Sequence, residues 1–447
     1  MTTSTATAPA RRPTRDRHDR QVVRAVVAAT FGSTIVWYDL FLYGFAATLV
    51  LGRLFFPASD PYAGTLMALG TYAAGFAARP VGALLLGRLG DRIGRRATLI
   101  ASFLLIALGT LLIGVVPDHD RIGILGGILL GLLRIVQGIG MGGQWAGSVL
   151  LPVEWGHRGR RGFIGSVPQL GVPAGLLLAY GSLRLFTLWL GQDAGWRLPF
   201  VLGFLLVAVA LYVRLGVRET PVFTKLLAER RIEEAPVVTA LARQWREVVL
   251  TALLRTGQQA PLLLFTAFVV TYATGTLKFA ESQVTDYVLI GAAVSLFTVP
   301  FWGFLSDLVG RKRLVMAGAV AMLLWSYPYW ALLNSGVPVL ALAAVVASLA
   351  IHDIQAGPQA TLIVESFTGR VRYTGASLGY HLASLTTDGP ALLVAAALLQ
   401  AFHTSVAIAV YMGACAVVSL VSAALLRDRR LQDMSVEYDE HPVAVPA

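Results

Sequence analysis

Long apolar runs alternate with short charged interruptions along almost the whole chain. A helix needs about 20 apolar residues to cross the hydrocarbon core of a bilayer, and each run is long enough for one crossing. We therefore expect an all-α polytopic membrane protein. The pattern predicts twelve spans, at residues 24–50, 62–86, 97–116, 123–149, 163–188, 196–216, 248–272, 284–305, 314–333, 337–360, 374–399 and 403–426.

Polar segments divide these spans into two groups of six. The predicted organisation is a disordered tail at 1–21, a six-helix bundle at 22–216, a central loop at 217–247, a second six-helix bundle at 248–426 and a tail at 427–447. Most of the 36 Lys and Arg residues fall in the tails and in the loops on the same side of the membrane. Because cytoplasmic loops collect these residues, both termini are predicted to be cytoplasmic.

Composition excludes several classes of protein. Only 14% of the residues are charged and 56% are hydrophobic, which is too little charge for a water-soluble surface. The single cysteine, Cys415, excludes an internal disulfide framework. The basic loops explain the net charge of +11, so we expect no nucleic-acid partner.

We also expect neither a metal site, nor an ATP-driven pump, nor an enzyme. The seven His and one Cys are scattered without a pair at metal-ligand spacing. The sequence contains no phosphate-binding loop of the G-x-x-x-x-G-K-[ST] kind and no assembled nucleophile and base.

The loops after the second and eighth predicted spans repeat each other, which predicts two similar halves. Gly, Asp, Gly and Arg recur at an offset of 216 residues, and a Glu seven residues before an Arg recurs at an offset of 211. Such a repeat is typical of transporters that hold a solute between two halves near the middle of the bilayer.

We expect the repeated loops to form a conformational gate, the alternative being a plain cluster of topogenic charges. Asp91 can accept hydrogen bonds from the N-terminal amides of a helix or from a basic side chain, while Arg95 and Arg96 are expected at the cytoplasmic surface. The candidate gating residues are Gly87, Asp91, Arg92, Gly94, Arg95, Arg96, Glu154, Arg161, Gly303, Asp307, Gly310, Arg311, Glu365 and Arg372.

Charged residues inside the spans are candidates for transport chemistry, because burying a charge in a span is costly. Asp39 and Arg134 lie at similar predicted depth, and we expect them to pair or to share a water-filled cavity. Protonation of Asp39 would then release Arg134 to bind an anionic solute. A fixed structural ion pair is the alternative.

His352 and Asp353 form a second titratable pair in the tenth span and could hold a transported proton. Adjacent helical residues point about 100° apart, so in the alternative interpretation at most one lines the cavity. His381 and Asp388 are open to the same two interpretations. Arg255 lies at the start of the seventh span, where we expect it to snorkel to the interface rather than line the cavity.

The repeated loops resemble the signature loop of the major facilitator superfamily, and further segments resemble its metabolite:proton symporter family. These segments are the run 37–44 (WYDLFLYG), 79–82 (RPVG), 134–138 (RIVQG), 195–200 (GWRLPF), 218–223 (RETPVF) and 370–375 (RVRYTG). The resemblance covers nearly the whole chain. It implies the major facilitator fold, with twelve helices in two pseudo-symmetric six-helix bundles.

The resemblance also implies proton-coupled symport of a small carboxylate or zwitterion across a bacterial inner membrane by alternating access, without a cofactor and with one chain sufficient for function. We place proton coupling at Asp39, His352 and Asp353, and substrate binding at Tyr38, Tyr43, Arg134, Gln137 and Gln144.

The chain departs from the family pattern at Val36 and Gln144, where the family commonly has glutamate. Loss of these two carboxylates leaves a uniporter or an exchanger open as alternatives. An exporter, or a sensor that binds solute without moving it, is also open.

Overall fold

The computed structural model describes residues 12–57, 61–215, 219–229, 233–388 and 390–430, together with 432 and 434. Within these residues the secondary structure is entirely helical, as the sequence predicts. We number the long helices α1 to α12: Arg12–Ala46, Pro61–Arg92, Arg95–Val115, Leu125–Trp155, Arg161–Gly191, Arg197–Leu215, Trp245–Gly275, Glu281–Val309, Arg311–Leu333, Pro338–Glu365, Arg372–Phe402 and Val406–Leu425.

Eleven of the described helices are long and apolar enough to cross a membrane. The sixth predicted span corresponds to α6, whose apolar helical stretch, Arg197–Ala208, is shorter. Every predicted span therefore has a helix.

The helices pack as two bundles, α1–α6 and α7–α12. In the first bundle α2 and α3 pack on α4, and α1 packs on α5; in the second bundle the corresponding helices α8 and α9 pack on α10, and α7 packs on α12. The bundles meet mainly where α11 contacts α2 and where α8 contacts α5. We call the end of the molecule where α2 ends and α3 begins the basic end.

Among the described residues, three of the numbered helices, α5, α7 and α11, are not continuous α-helix. A π-helical turn, Leu264–Phe268, interrupts α7, and a 3-10 turn, Val167–Leu170, follows the first turns of α5. Helix α11 stops at Leu382 and resumes at Pro390. Proline at the start of the second segment cannot donate an N–H to the preceding turn, which separates the two segments.

The polar segments are more ordered than the sequence predicts. Helix α1 already begins at Arg12, inside the predicted tail at 1–21, of which residues 1–11 lie outside the described residues. Pro13 does not prevent this, because a proline is tolerated in the first turn of a helix. The predicted central loop contains two short helices, Pro221–Ala228 and Pro236–Arg243.

The C-terminal segment folds back under the basic end. The Arg429 guanidinium lies 3.9 Å from Glu247 and donates to the carbonyl oxygen of Ser366. Met434 is buried in the apolar cluster formed there by both bundles. Part of the predicted tail therefore packs on the folded protein.

Candidate functional site

A cavity lies between the two bundles, and residues from both line it. The first bundle contributes mainly apolar and aromatic side chains from α1, α4 and α5. The second bundle contributes most of the charged and amide groups. The polar and aromatic side chains at its wall are Trp37, Phe41, Trp145, Gln169, Arg255, Gln258, Gln259, Thr266, Ser295, His352, Asp353, Gln359 and Tyr380.

Arg255 is a buried cation at the wall of this cavity, with 1% of its surface exposed. Its Nη2 atom donates to Gln259 at 2.8 Å, and its guanidinium lies 3.3 Å from the ring centroid of Tyr380. No described carboxylate forms an ion pair with it. The expectation that Arg255 snorkels to the interface is therefore wrong.

His352 and Asp353 lie in a chain of hydrogen bonds beside Arg255. The amide of Gln258 donates to His352 Nε2 at 2.5 Å, and His352 Nδ1 donates to Asp353 Oδ1 at 2.9 Å. The Thr298 hydroxyl donates to the other carboxylate oxygen at 2.5 Å. Both His352 and Asp353 line the cavity, so the interpretation that at most one of them does is wrong.

Asp39 and Arg134 form the buried ion pair that the sequence predicts. Arg134 Nη1 lies 2.9 Å from Asp39 Oδ2, and Gln137 and Thr110 both donate to Asp39 Oδ1, at 3.0 and 2.7 Å. The guanidinium of Arg134 also lies 4.2 Å from the ring centroid of Tyr43. Every polar atom of the Asp39 carboxylate therefore has a partner.

The structure does not bring the five predicted substrate-binding residues to the wall of this cavity; they lie inside the first bundle. The Tyr38 hydroxyl donates to the carbonyl of Pro199, the Tyr43 hydroxyl bonds with Thr71, and Gln144 donates to Ser148 one turn along α4. Arg134 and Gln137 are held by Asp39. The physical reason is helix rotation, because these α4 residues face neighbouring helices of their own bundle, whereas Trp145 faces the cavity.

A different buried ion pair, unlike Asp39–Arg134, connects one bundle to the other. Arg79 Nη1 on α2 donates to Asp388 Oδ2 on α11 at 3.1 Å, and both side chains are buried. Asp388 was one of the titratable residues with two interpretations, and the structure assigns it an arginine partner in the opposite bundle.

At the basic end, Asp91 of the first bundle caps a helix of the second bundle. Its carboxylate accepts from the backbone N–H groups of Tyr373 and Thr374 at the start of α11, at 3.2 and 2.9 Å. Arg95 lies 3.4 Å from Asp91 and 3.9 Å from Glu154. We call this arrangement the first clasp.

The repeated loop forms the same arrangement with the bundles exchanged: the aspartate is in the second bundle and the capped helix is in the first. We call this arrangement the second clasp. Asp307 of the second bundle accepts from the backbone N–H groups of Gly162 and Phe163 at the start of α5, at 2.8 and 2.9 Å. Arg311 lies 3.1 Å from Asp307 and 3.3 Å from Glu365. The predicted hydrogen bonds from a carboxylate to helix amides are thus present twice.

The second pair of repeated residues completes each clasp. Arg372 lies 3.2 Å from Glu154, and Arg161 lies 4.0 Å from Glu365. The same two arginines donate to the C-terminal segment: Arg372 to the carbonyl oxygen of Met434 at 2.9 Å, and Arg161 to that of Gln432 at 3.1 Å. Each clasp therefore donates a hydrogen bond to a carbonyl oxygen of the C-terminal segment.

Glycines allow the clasps to form. Gly94 and Gly310, the residues before α3 and α9, have φ angles of 116° and 111°, a region that favours glycine. Gly87 lies directly against the backbone of Thr374 across the α2–α11 contact, and Gly303 lies against Ser166 across the α8–α5 contact.

The arginines of the first loop have different environments. Arg95 is fully buried between Asp91 and Glu154, so the expectation that it stays at the surface is wrong. Arg92 is exposed, and the backbone N–H of Arg96 donates to Glu219 at 3.0 Å. Desolvation of Arg95 is offset by the carboxylates that the repeat places beside it.

Comparison with known proteins agrees with this architecture. The family model described as "Sugar (and other) transporter" matches residues 25–252. The chain is 34% identical to the inner membrane metabolite transport protein YhjE of Escherichia coli (strain K12), over 92% of this chain and 95% of that protein. It is 33% identical to the shikimate transporter of the same strain, over 91% of this chain and 94% of that protein.

Among solved structures, the chain is similar to the major facilitator superfamily proton:xylose symporter XylE bound to 6-bromo-6-deoxy-D-glucose. The TM-score is 0.73 at 17% identity, over 94% of this chain and 98% of that chain, which establishes the fold. The chain is a polytopic membrane protein and a transporter rather than an enzyme, and it belongs to the sugar (and other) transporter family.

Proposed function

We propose that this protein is a proton-coupled symporter that moves a small organic carboxylate or zwitterion across the bacterial inner membrane. The observation that carries the proposal is the cavity between the bundles, in which a buried arginine lies beside a titratable pair, His352 and Asp353. The shikimate and proline/betaine transporters among the relatives are named for solutes that carry a carboxylate. XylE, similar in fold, is named a proton symporter.

The two clasps are the gate of this transporter, and the basic end faces the cytoplasm. In the structure both clasps are formed. Opening toward the cytoplasm requires each Asp to release a helix terminus of the opposite bundle. Alternating access then consists of making and breaking these contacts while the bundles move relative to each other.

Asp39 is the proposed proton carrier. Trp37 and Phe41, which lie two residues to either side of it on α1, line the cavity. Protonation of Asp39 removes its attraction for Arg134, which loosens α1 from α4 and so alters the cavity wall. The proton site and the solute site are thereby coupled through one helix without direct contact.

His352 and Asp353 are the proposed second proton site, in direct contact with the solute. We expect a monomer in the lipid bilayer to transport solute and protons without a cofactor. Both termini lie at the cytoplasmic side in this proposal.

Uptake into proteoliposomes with an imposed pH gradient tests the proposal. We expect accumulation of a carboxylated solute that collapses when the gradient is removed. The Asp39→Asn variant should lose accumulation yet retain exchange of labelled for unlabelled solute, whereas Asp286→Asn, a change at an exposed carboxylate, should retain both. Uptake indifferent to the gradient would identify a uniporter or exchanger. Binding without uptake would identify a sensor, and gradient-driven efflux an exporter.

A further inference from the structure

We propose that Arg255 is the anchor for a substrate carboxylate, and that the solute carries a hydroxyl or amine hydrogen-bond donor in addition to that carboxylate. This inference rests on the proposed transport function and adds the chemical class of the solute. It comes from a buried guanidinium with which no described carboxylate pairs, and from two polar atoms at the cavity wall that have no hydrogen-bond partner among the described residues.

The first observation is the contrast between Arg255 and the other buried arginines. Arg79, Arg95 and Arg134 each lie within an ion-pair distance of a carboxylate. Arg255 is as deeply buried, but none of the described carboxylates forms an ion pair with it, and its bond to Gln259 is to a neutral amide. A buried cation without an anion is costly, so an anion supplied by a solute in the cavity would complete this site.

The second observation is the way in which the guanidinium is held. The Tyr380 ring lies between Arg255 and Trp145, with the guanidinium 3.3 Å from the ring centroid and the two aromatic centroids 3.7 Å apart at an interplanar angle of 16°. A guanidinium over an aromatic ring keeps N–H donors along its edge, and of these Nη2 already donates one hydrogen to Gln259. Those donors are the ones that bind a carboxylate in a bidentate fashion, so the stack preorganises Arg255 for this class of anion.

The third observation concerns one hydrogen-bond donor and one hydrogen-bond acceptor at the wall of the same cavity. The Trp145 Nε1 donor and the Gln258 Oε1 acceptor are both buried, and neither has a hydrogen-bond partner in the described part of the chain. Gln258 follows Arg255 by three positions on α7, so the two side chains are neighbours on the helix surface. The acceptor requires an O–H or N–H group from the solute, which a hydroxy acid or an amino acid provides. A neutral sugar lacks the anion, and a betaine lacks the donor.

Ligand-induced thermal stabilisation of the purified full-length protein, measured without a proton gradient, tests this inference. The probes are small hydroxy acids and amino acids, each paired with its primary amide and with the analogous acid that lacks the hydroxyl or amine. We expect at least one parent acid to bind, and its amide to bind about tenfold or more weakly, because the amide lacks the charge-assisted hydrogen bonds to the guanidinium. The analogue without the donor should also bind more weakly.

The Arg255→Gln variant should lose the distinction between acid and amide. The matched control, Arg184→Gln, removes an exposed arginine and should keep the distinction. Arg255→Lys retains the charge without the planar edge and should bind the acid with intermediate strength. If the Arg255 variants fail to fold, the comparison of acid with amide in the unaltered protein still decides the outcome.

Equal binding of acid and amide by the unaltered protein, or unchanged acid binding by a folded Arg255→Gln variant, would overturn the inference. Exclusive binding of neutral sugars or of betaines would overturn it as well. Failure of the proposed symport is distinguishable, because it leaves binding intact and removes only the response of uptake to the pH gradient.

Discussion

The guanidinium of Arg79 on α2 lies 3.1 Å from the carboxylate of Asp388 on α11, and this buried ion pair joins the two bundles away from the clasps. Arg79 also lies over the ring of Phe76, 4.1 Å from its centroid. The pair links the helix that precedes the first clasp to the helix that the first clasp caps. It is therefore a connection between the bundles that lies deeper in the molecule than the gate.

The Asp388→Asn variant should be strongly destabilised, because it leaves the Arg79 charge buried without its anion. Removing one partner of a buried pair costs about 3–5 kcal/mol, whereas removing both charges is often close to neutral. We expect a marked fall in the thermal unfolding midpoint for Asp388→Asn, and recovery of most of it in the Arg79→Gln/Asp388→Asn double variant. Additive losses in the double variant would show that the two residues act independently.

The two clasps should together hold the bundles closed at the basic end. Thr374→Cys, in a background with Cys415→Ser, reports on opening, since residue 374 is fully buried and donates to Asp91 through its backbone. Asp91→Asn should raise the labelling rate of this cysteine by about tenfold or more, because charged hydrogen bonds to two amides are weakened.

The same reporter tests whether the bundles move as units. Asp307→Asn, although it lies in the other clasp, should also raise the labelling rate of the cysteine at 374. Asp120→Asn, a change at an exposed carboxylate, should leave the rate unchanged. An effect of Asp91→Asn without an effect of Asp307→Asn would mean that the clasps open separately.

A further ion pair between the bundles lies at the end of the molecule away from the clasps, and it should contribute little to the stability of the fold. Arg184 on α5 lies 3.8 Å from Asp286 on α8, but both side chains are more than half exposed. Exposed pairs contribute about 0–1 kcal/mol. We expect the unfolding midpoint of Asp286→Asn to stay close to that of the unaltered protein at low and at high salt. A fall as large as that of Asp388→Asn would contradict this.

Two glycines of α4 should respond to alanine in opposite directions. A Cβ at Gly142 would overlap the backbone of Arg79 on α2, whereas a Cβ at Gly131 meets only the Thr71 methyl, at 3.8 Å. Gly142→Ala must push α2 and α4 apart and should reduce the yield of folded protein. Gly131→Ala should be neutral or stabilising by up to about 1 kcal/mol, because alanine favours the helix. Equal thermal midpoints and yields for the two variants would argue against close packing of α2 on α4.

Residues at the ends of helices could be predicted from the sequence, because the repeat marks them twice. The spacing of Asp91 and Asp307 places each after a glycine and before a helix, and both accept from helix amides in the structure. The pairing of Asp39 with Arg134 could also be predicted, since residue number along a span gives depth in the membrane.

The composition of the cavity wall could not be predicted in the same way. Depth follows from position along a span, but the direction in which a side chain points depends on helix rotation, which hydropathy does not fix. Arg134 therefore lies inside its own bundle. Arg255 is deeper than expected because α7 begins at Trp245, which puts it ten residues, or about 15 Å, into the helix.

The clasps have the form of an isologous contact, the kind made in a dimer with two-fold symmetry. Each bundle has one aspartate that accepts hydrogen bonds from the start of a helix in the other bundle. The same kind of surface therefore occurs once on each bundle, and each surface acts both as acceptor and as donor. In two separate copies of one ancestral bundle, any substitution in that surface would have altered both contacts together. Fusion into one chain lets Asp91 and Asp307 diverge, and their surroundings already differ, because only the second lies at a partly exposed position.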